Sequence, residues 1–317
     1  MVYGESRVVL NPGRCAVLGH PVGHSLSPLL HRAAYAELGL DWSYEAIDVE
    51  ADQLPGFLNG LDGHWRGLSV TMPLKRAVVA LVDELDPLAA TVGVVNTVTF
   101  GPGRPGDRSL RRGSNTDVAG FAATLTGRPV DRVLVLGAGA TACSLLAALP
   151  PDAEVSVLAR GVHSGQQLQA VAARLGRAPV QLLGTASPDT PADRPNLLVS
   201  TLPAGAIGST ELAGLAGLLP GPGGTVLDVV YDGWPTLLAR AAVASGAASR
   251  SGLDLLVHQA IGQVSSMTGM PVDVPGLGTV LVAALVAAGV PGARELSDRF
   301  PNGDRSHQGN GDTDANL

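Results

Sequence analysis

The chain has 317 residues, 45% hydrophobic and 15% charged, with a formal net charge of -7. That length suits two domains, each large enough to bury its own core. The acidic balance and the lack of a basic block argue against a nucleic-acid partner, so a small anionic ligand would need a local site.

The opening stretch MVYGESRVVLNPGR lacks a basic region followed by an apolar core, so no signal peptide is expected. CAVLG (15–19) reads as a short buried strand ending in a Gly/Pro turn. SPLLHRAAYAELGL follows with apolar positions at helical spacing, and Ser27 and Pro28 suit the N-cap and first helical position. WSYEAIDV predicts a second strand, DQLPGFLNGL a helix, WRGLSVTM a third strand, and LKRAVVALVDEL one continuous helix. VVNTVTF reads as a strand, GPGRPGDRSLRRG as a polar hairpin or loop, and NTDVAGFAATLTG as the start of a further helix. This β-α-β-α alternation implies an α/β domain with a mostly parallel sheet.

A second unit begins near residue 130. RVLVLGAGATACSLLAAL predicts strand, glycine turn and helix; EVSVLAR, NLLVSTLP and TVLDVVY predict further strands, with helices such as GQQLQAVAARLG and WPTLLARAAVASG between them. After residue 252 two helices are expected, LDLLVHQAIGQVSSMTG and roughly 274–290. They lie outside the nucleotide-binding pattern, which suggests that they return to the first domain. The run VLVAALVAAGV within the second is too short to cross a bilayer. The tail RELSDRFPNGDRSHQGNGDTDANL has few apolar residues and is expected to be disordered. The resulting division is 1–125 with 252–292, 126–251, and a tail from 293 to 317.

Residues Gly137, Ala138, Gly139, Ala140, Thr141 and Ala142 carry the pattern G-x-G-x-x-A between an apolar strand and an Ala/Leu helix. Such glycines allow a tight turn and close approach of a pyrophosphate to a helix N-terminus. The same residues could form only a packing turn between helix and strand. An NAD site wants an acid at the end of the next strand, but that strand ends in Ala159 and Arg160. Arg160 could pair with a 2'-phosphate, which favours NADP; otherwise it is an ordinary solvated residue.

Lys75 is the only lysine in the chain. It is either the last lysine of an arginine-biased composition or an ammonium kept for proton transfer, which arginine cannot perform near neutral pH. Ser25, Ser27, Thr71, Lys75, Asn96 and Asp117 fall at expected strand ends or helix starts, where ligands of open parallel sheets bind. Each also has a structural reading as a cap or turn former. His20, His24 and His31 have no metal-ligand spacing, so no metal is expected. Cys15 and Cys143 carry no redox motif and, as the only cysteines, point to a reducing cytoplasm.

Taken together, GHPVGHSLSPLLH, SVTMPLK, VVNTV, NTDVAGF, GAGATA, DVVYDGWPTLL and SGLDLLVHQA resemble the motifs of the shikimate dehydrogenase family, in order, over about residues 15 to 272. The resemblance implies NADP-linked interconversion of 3-dehydroshikimate and shikimate. It implies an N-terminal α/β substrate domain completed by C-terminal helices, a Rossmann-type NADP-binding domain, and a cleft between them. Ser25, Ser27, Thr71, Lys75, Asn96, Asp117 and Gln259 would contact substrate, Tyr231 would lie close by, and Gly252 would lie near the nicotinamide. Lys75 would stabilise and protonate the developing oxyanion, with Asp117 positioning it. A monomer or homodimer is expected.

Three departures stand out. Ser69 stands where many relatives carry Asn, and it is not counted among the site residues. Ala159-Arg160-Gly161 replaces the usual Asn-Arg-Thr, removing two phosphate donors. Asp254 stands where small or neutral residues are common. Quinate or aminoshikimate could replace shikimate on the same scaffold. A methylenetetrahydrofolate dehydrogenase and an inactive nucleotide-binding regulator are the other readings; the serine pair and Gln259 oppose the first, the Lys75/Asp117 pair the second.

Overall fold

The computed structural model describes residues 12–101, 110–183, 194–271 and 274–300. The first unit runs β1 (Gly13–Gly19), α1 (Ser27–Glu37), β2 (Trp42–Asp48), α2 (Leu54–Asn59), β3 (Trp65–Val70), α3 (Leu74–Ala77), β4 (Glu84–Leu85), α4 (Pro87–Val92), β5 (Thr97–Gly101), β6 (Leu110–Ser114) and α5 (Thr116–Leu125). Its six-stranded sheet has the order β2-β1-β3-β5-β6-β4. The sheet is more mixed than expected, because β5 runs antiparallel to both β3 and β6. The polar stretch between β5 and β6 therefore joins the two strands of a hairpin; residues 102–109 lie outside the described residues.

The helix expected over LKRAVVALVDEL is broken. It ends at Ala77, continues as a 3-10 turn over Val78–Leu81, and gives way to β4. β-Branched Val78, Val79 and Val82 crowd a helix backbone, and Asp83 is drawn to the sheet edge. Its main-chain N–H donates to Arg111 O at 2.9 Å, and its carboxylate accepts from Arg111 N at 2.8 Å. The helix α4 has no counterpart in the sequence reading, although its ends are legible. The Asp86 carboxylate caps Ala89 N at 2.8 Å, Pro87 opens the helix, and Gly93 closes it with φ +70°.

The second unit runs β7 (Arg132–Leu136), α6 (Ala140–Ala148), β8 (Glu154–Leu158), α7 (Val162–Arg174), β9 (Gln181–Leu183), β10 (Leu197–Ser200), α8 (Ser209–Leu215), β11 (Thr225–Asp228), α9 (Leu237–Ala244) and β12 (Ala248–Ser251). Every pairing in this sheet is parallel, in the order β12-β11-β10-β7-β8-β9. That is the doubly wound order with its switch point between β7 and β10. Strands such as β10 are apolar along their length because helices cover both faces.

The chain ends with α10 (Leu253–Thr268), α11 (Val274–Ala287) and a 3-10 turn, Arg294–Arg299. Val257, Ala260, Ile261 and Val264 of α10 share one apolar cluster with Cys15 and Val17 of β1, Leu30 and Ala34 of α1, and Leu281 of α11. Leu255, on another face of α10, joins Val118 and Phe121 of α5 in a cluster that continues into Val133 and Val135 of β7. So α10 is bonded by burial to both sheets.

The tail expectation needs correction at its start. Leu296 and Phe300 are buried, and Arg299 pairs with Asp254, itself only 3% exposed, in the first turn of α10. His258 Nε2 lies 3.7 Å from the other Asp254 oxygen, and its ring lies 4.9 Å from that of Phe300. Composition understates this segment because its anchor is a single acid far upstream. Residues 301–317 lie outside the described residues. Removing one partner of a buried pair leaves a charge without compensation. Arg299→Ala should therefore lower unfolding stability by roughly 3 kcal/mol, measured by urea denaturation.

His31, fully buried on α1, stacks on Tyr44 of β2 with ring centroids 4.0 Å apart. Burial pushes its pKa from 6.5 down to about 3, so the ring stays neutral. Below pH 6.5 the unfolded chain binds a proton that the folded chain refuses until about 3. This contribution to stability is complete above pH 6.5 and is lost as the pH falls through that window. Denaturation midpoints should drop between about pH 7 and about pH 5, and His31→Phe should flatten that drop.

Candidate active site

The carboxyl ends of β1 and β3, the start of β5, and the first turns of α5, α6 and α10 open on one cleft of about 190 Å³. Ser25, Ser27, Thr71, Lys75, Asn96, Asp117, Tyr231, Gly252 and Gln259 all line it, with Thr141 of the glycine loop. Among the lining residues Lys75 and Asp117 are the only charged pair. Lys75 Nζ lies 2.6 Å from Asp117 Oδ2, with the two side chains 14% and 6% exposed.

Local sequence explains how the acid is freed for this contact. Asn115 caps α5: its Oδ1 accepts from Asp117 N at 3.1 Å, and its Nδ2 donates to Val94 O and Ser144 Oγ at 3.1 and 3.0 Å. Asp117 is thus not the cap, and its carboxylate turns into the cleft. The other carboxylate oxygen accepts from Asn96 Nδ2 at 2.8 Å. Lys75 sits in α3, and its carbonyl accepts from Val95 N at 2.9 Å, which ties the lysine to the segment carrying Asn96.

The serine loop differs in detail from the sequence reading. Leu26 occupies the cap position of α1, Ser27 lies in its first turn, and Ser25 Oγ accepts from Ser27 N at 3.3 Å. The loop is anchored at its other end by Asp48, which accepts from His20 Nδ1 at 2.5 Å and Val22 N at 3.2 Å. Tyr231 is mostly buried, and burial raises its pKa, so it faces the cleft as a neutral phenol. Gln259 Nε2 donates to Leu256 O at 3.0 Å.

The glycine loop lies at the carboxyl end of β7. Gly137 has φ +95°, and a Cβ there would fall 2.7 Å from Thr201 Oγ1. Its N–H donates to Leu158 O at 2.9 Å, which joins the loop to the end of β8. Gly139 caps the nine-residue α6, with open space where a side chain would stand. Ala138 and Ala142 are buried beneath the turn, Ala140 opens the helix, and Arg160 is exposed just beyond β8. These residues form a concave, side-chain-free approach to a helix N-terminus, which fits a dinucleotide pyrophosphate. At Gly252 a Cβ would fall 1.9 Å from Val229 O, so only glycine permits this approach of β11's exit to the start of α10. Among the described residues no group of three His, Cys, Asp or Glu could hold a metal ion.

Two polar residues of the cleft lining were not counted from sequence. Ser69, set aside there, lines the cleft, and so does Gln263 of α10. Gln263 stands one helical turn beyond Gln259, so the i, i+4 spacing was the available signal.

Residues 17–98 match the family described as the shikimate dehydrogenase substrate binding domain. A shikimate dehydrogenase (NADP(+)) of Methylobacterium radiotolerans is 38% identical over 261 residues, 78% of this chain and 88% of the relative. The crystal structure of Mycobacterium tuberculosis shikimate dehydrogenase superposes with TM-score 0.74 at 37% identity, over 87% of this chain and 100% of that one. That of Thermus thermophilus shikimate 5-dehydrogenase, in complex with NADP(H) and shikimate, gives TM-score 0.69 at 34% identity, over 86% of this chain and 100% of that one. With likeness at this level along nearly the whole of its relatives, and with the motif residues gathered around one cleft, the chain belongs to the shikimate dehydrogenase family.

Proposed function

We propose that this protein is an NADP-dependent shikimate dehydrogenase, interconverting 3-dehydroshikimate and shikimate. The observation that carries the reading is the Lys75–Asp117 pair, set in a cleft that Thr141 and Gly252 also line. NADP fits the second unit: the Gly137–Ala142 turn suits the pyrophosphate, and Arg160 beyond β8 suits the 2'-phosphate. When bound, NADPH supplies the hydride to the ring ketone.

The rest of the chemistry belongs to side chains of this chain. As the ketone oxygen gains charge, the Lys75 ammonium stabilises it and delivers a proton. Asp117 holds the ammonium in place and offers an acceptor to a neighbouring substrate hydroxyl. Asn96 and Gln259 can donate and accept, which suits vicinal hydroxyls. Ser25, Ser27 and Thr71 supply neutral donors for the substrate carboxylate, and Tyr231 adds a phenol. In this assignment residues 1–125 with 252–292 bind substrate and 126–251 bind NADP. Two buried free thiols, Cys15 and Cys143, suit a cytoplasmic enzyme.

The test is an assay with shikimate, quinate and an amino analogue, each with NADP and NAD. Shikimate with NADP should give the highest kcat/KM; turnover of quinate alone would contradict the reading. Lys75→Ala should lower kcat by about a hundredfold or more with KM for NADP little changed. Lys75→Arg should fail as well, since it keeps the charge but not the transferable proton.

A further inference from the structure

Behind the Lys75–Asp117 pair, partly lining the cleft, lies a run of buried hydrogen bonds, most of which the reaction as described does not use. Tyr44 OH donates to Ser69 Oγ at 2.5 Å, and Ser69 Oγ donates to Gln263 Oε1 at 2.7 Å. Gln263 Nε2 donates to Asn96 O at 3.0 Å and to Thr97 Oγ1 at 3.2 Å. Thr97 Oγ1 donates to Asn96 Oδ1 at 2.8 Å, and Asn96 Nδ2 donates to Asp117 Oδ1 at 2.8 Å. The run ends on the carboxylate that holds Lys75. Tyr44, Ser69, Gln263, Thr97, Asn96 and Asp117 are all buried.

The polarity of this run follows from two main-chain groups. A carbonyl only accepts, so Asn96 O requires the Gln263 amide to turn its nitrogen toward β5. Gln263 Oε1 then faces Ser69 and His31, and both must donate to it, His31 through Nε2 at 3.2 Å. The Ser69 proton is thereby committed, so Tyr44 must donate to Ser69. An N–H only donates, so Thr116 N, 2.8 Å from Asn96 Oδ1, fixes the second amide. Asn96 Nδ2 therefore points at Asp117. Neither amide can flip without setting like poles together among buried groups, where an unmade hydrogen bond is costly.

We propose that Gln263, with Ser69, Tyr44 and Thr97, is the positioning device of the active site. Through Thr97, whose hydroxyl accepts from Gln263 and donates to Asn96 Oδ1, it joins Thr116 N in holding the Asn96 amide, so that Asp117 meets only donors and presents Lys75 in one geometry. The inference rests on the dehydrogenase reading above. It also gives a role to Ser69, whose hydroxyl accepts from Tyr44 and donates to the Gln263 carboxamide. The titratable groups facing the run are His31 of α1, Tyr44 of β2, Lys75 of α3, Asp117 of α5 and, across the cleft, Tyr231. His31 is held neutral by burial and its Nδ1 has no partner among the described residues, in keeping with an Nε2 that donates. Fixed, prepaired donors around a catalytic group remove the need to reorganise during reaction.

Thr97 separates this role from packing. Thr97→Val keeps the shape and removes the hydroxyl; Thr97→Ser keeps the hydroxyl and removes a methyl. The positioning role predicts that Thr97→Val lowers kcat for shikimate oxidation on the order of tenfold or more, that KM for NADP stays near wild type, and that Thr97→Ser retains most of kcat. The reverse ranking, with valine near wild type and serine the weaker, would overturn it. Should Thr97→Val not fold, Ser69→Ala gives the second comparison: kcat falls severalfold if the run positions Asp117, and an unchanged kcat refutes it. A wild-type protein without shikimate-dependent NADP reduction would overturn the dehydrogenase reading and this inference with it; an active wild type with an indifferent Thr97→Val overturns the inference alone.

Discussion

An ammonium and a carboxylate 2.6 Å apart, both largely withdrawn from water, set the terms for the rest of this protein. Desolvating two charges is costly, and their attraction offsets that cost only when the remaining lone pairs and protons are also satisfied. The surroundings meet this condition asymmetrically. Asp117 has Lys75 on one oxygen and Asn96 on the other, whereas Lys75 keeps donor capacity facing the cleft. That spare capacity is what a reacting oxygen can use. The pair comes from positions 42 residues apart, so it exists only when β3, β5 and α5 are assembled.

The two sheets serve this geometry in different ways. The mixed sheet presents polar side chains at strand ends, and its antiparallel β5 lets Asn96, Thr97 and Thr116 bond one another closely. The parallel sheet presents backbone, a glycine turn against a helix N-terminus. The helix α10 links them. It begins at Gly252 against Val229, buries one face with β1 and α1 and another with α5, and carries Gln259 and Gln263 to the cleft. Arg299 and Asp254 fasten its first turn from outside the cleft. A helix clamped at its start and shared by both units suits a site whose parts come from both.

Much of the site was legible in the sequence because its groups sit in short motifs at strand ends. Lys75 stood out as the only lysine, and Asn96 and Asp117 lie in short polar segments, one just before β5 and the other opening α5. The glycine turn was legible from its setting between a strand and a helix. What was not legible depends on distance along the chain. Gln263 meets partners 167, 194 and 232 positions away, and its spacing from Gln259 is the one local mark of a polar role. The order of the segment before Phe300 depends on Arg299 reaching Asp254 across 45 positions. The break after Ala77 arises because Asp83 pairs with β6, a pairing no periodicity within the valine-rich stretch reveals.

The most direct test of the account is a crystal structure of the protein with shikimate and NADP+ bound together. The account predicts that Lys75 Nζ and Asp117 contact one ring hydroxyl on the carbon facing the nicotinamide, with the Asn96 and Gln263 amides oriented as described above. A substrate seated with that carbon turned away from Lys75, or a Lys75 directed to bulk water with its bond to Asp117 lost, would contradict it.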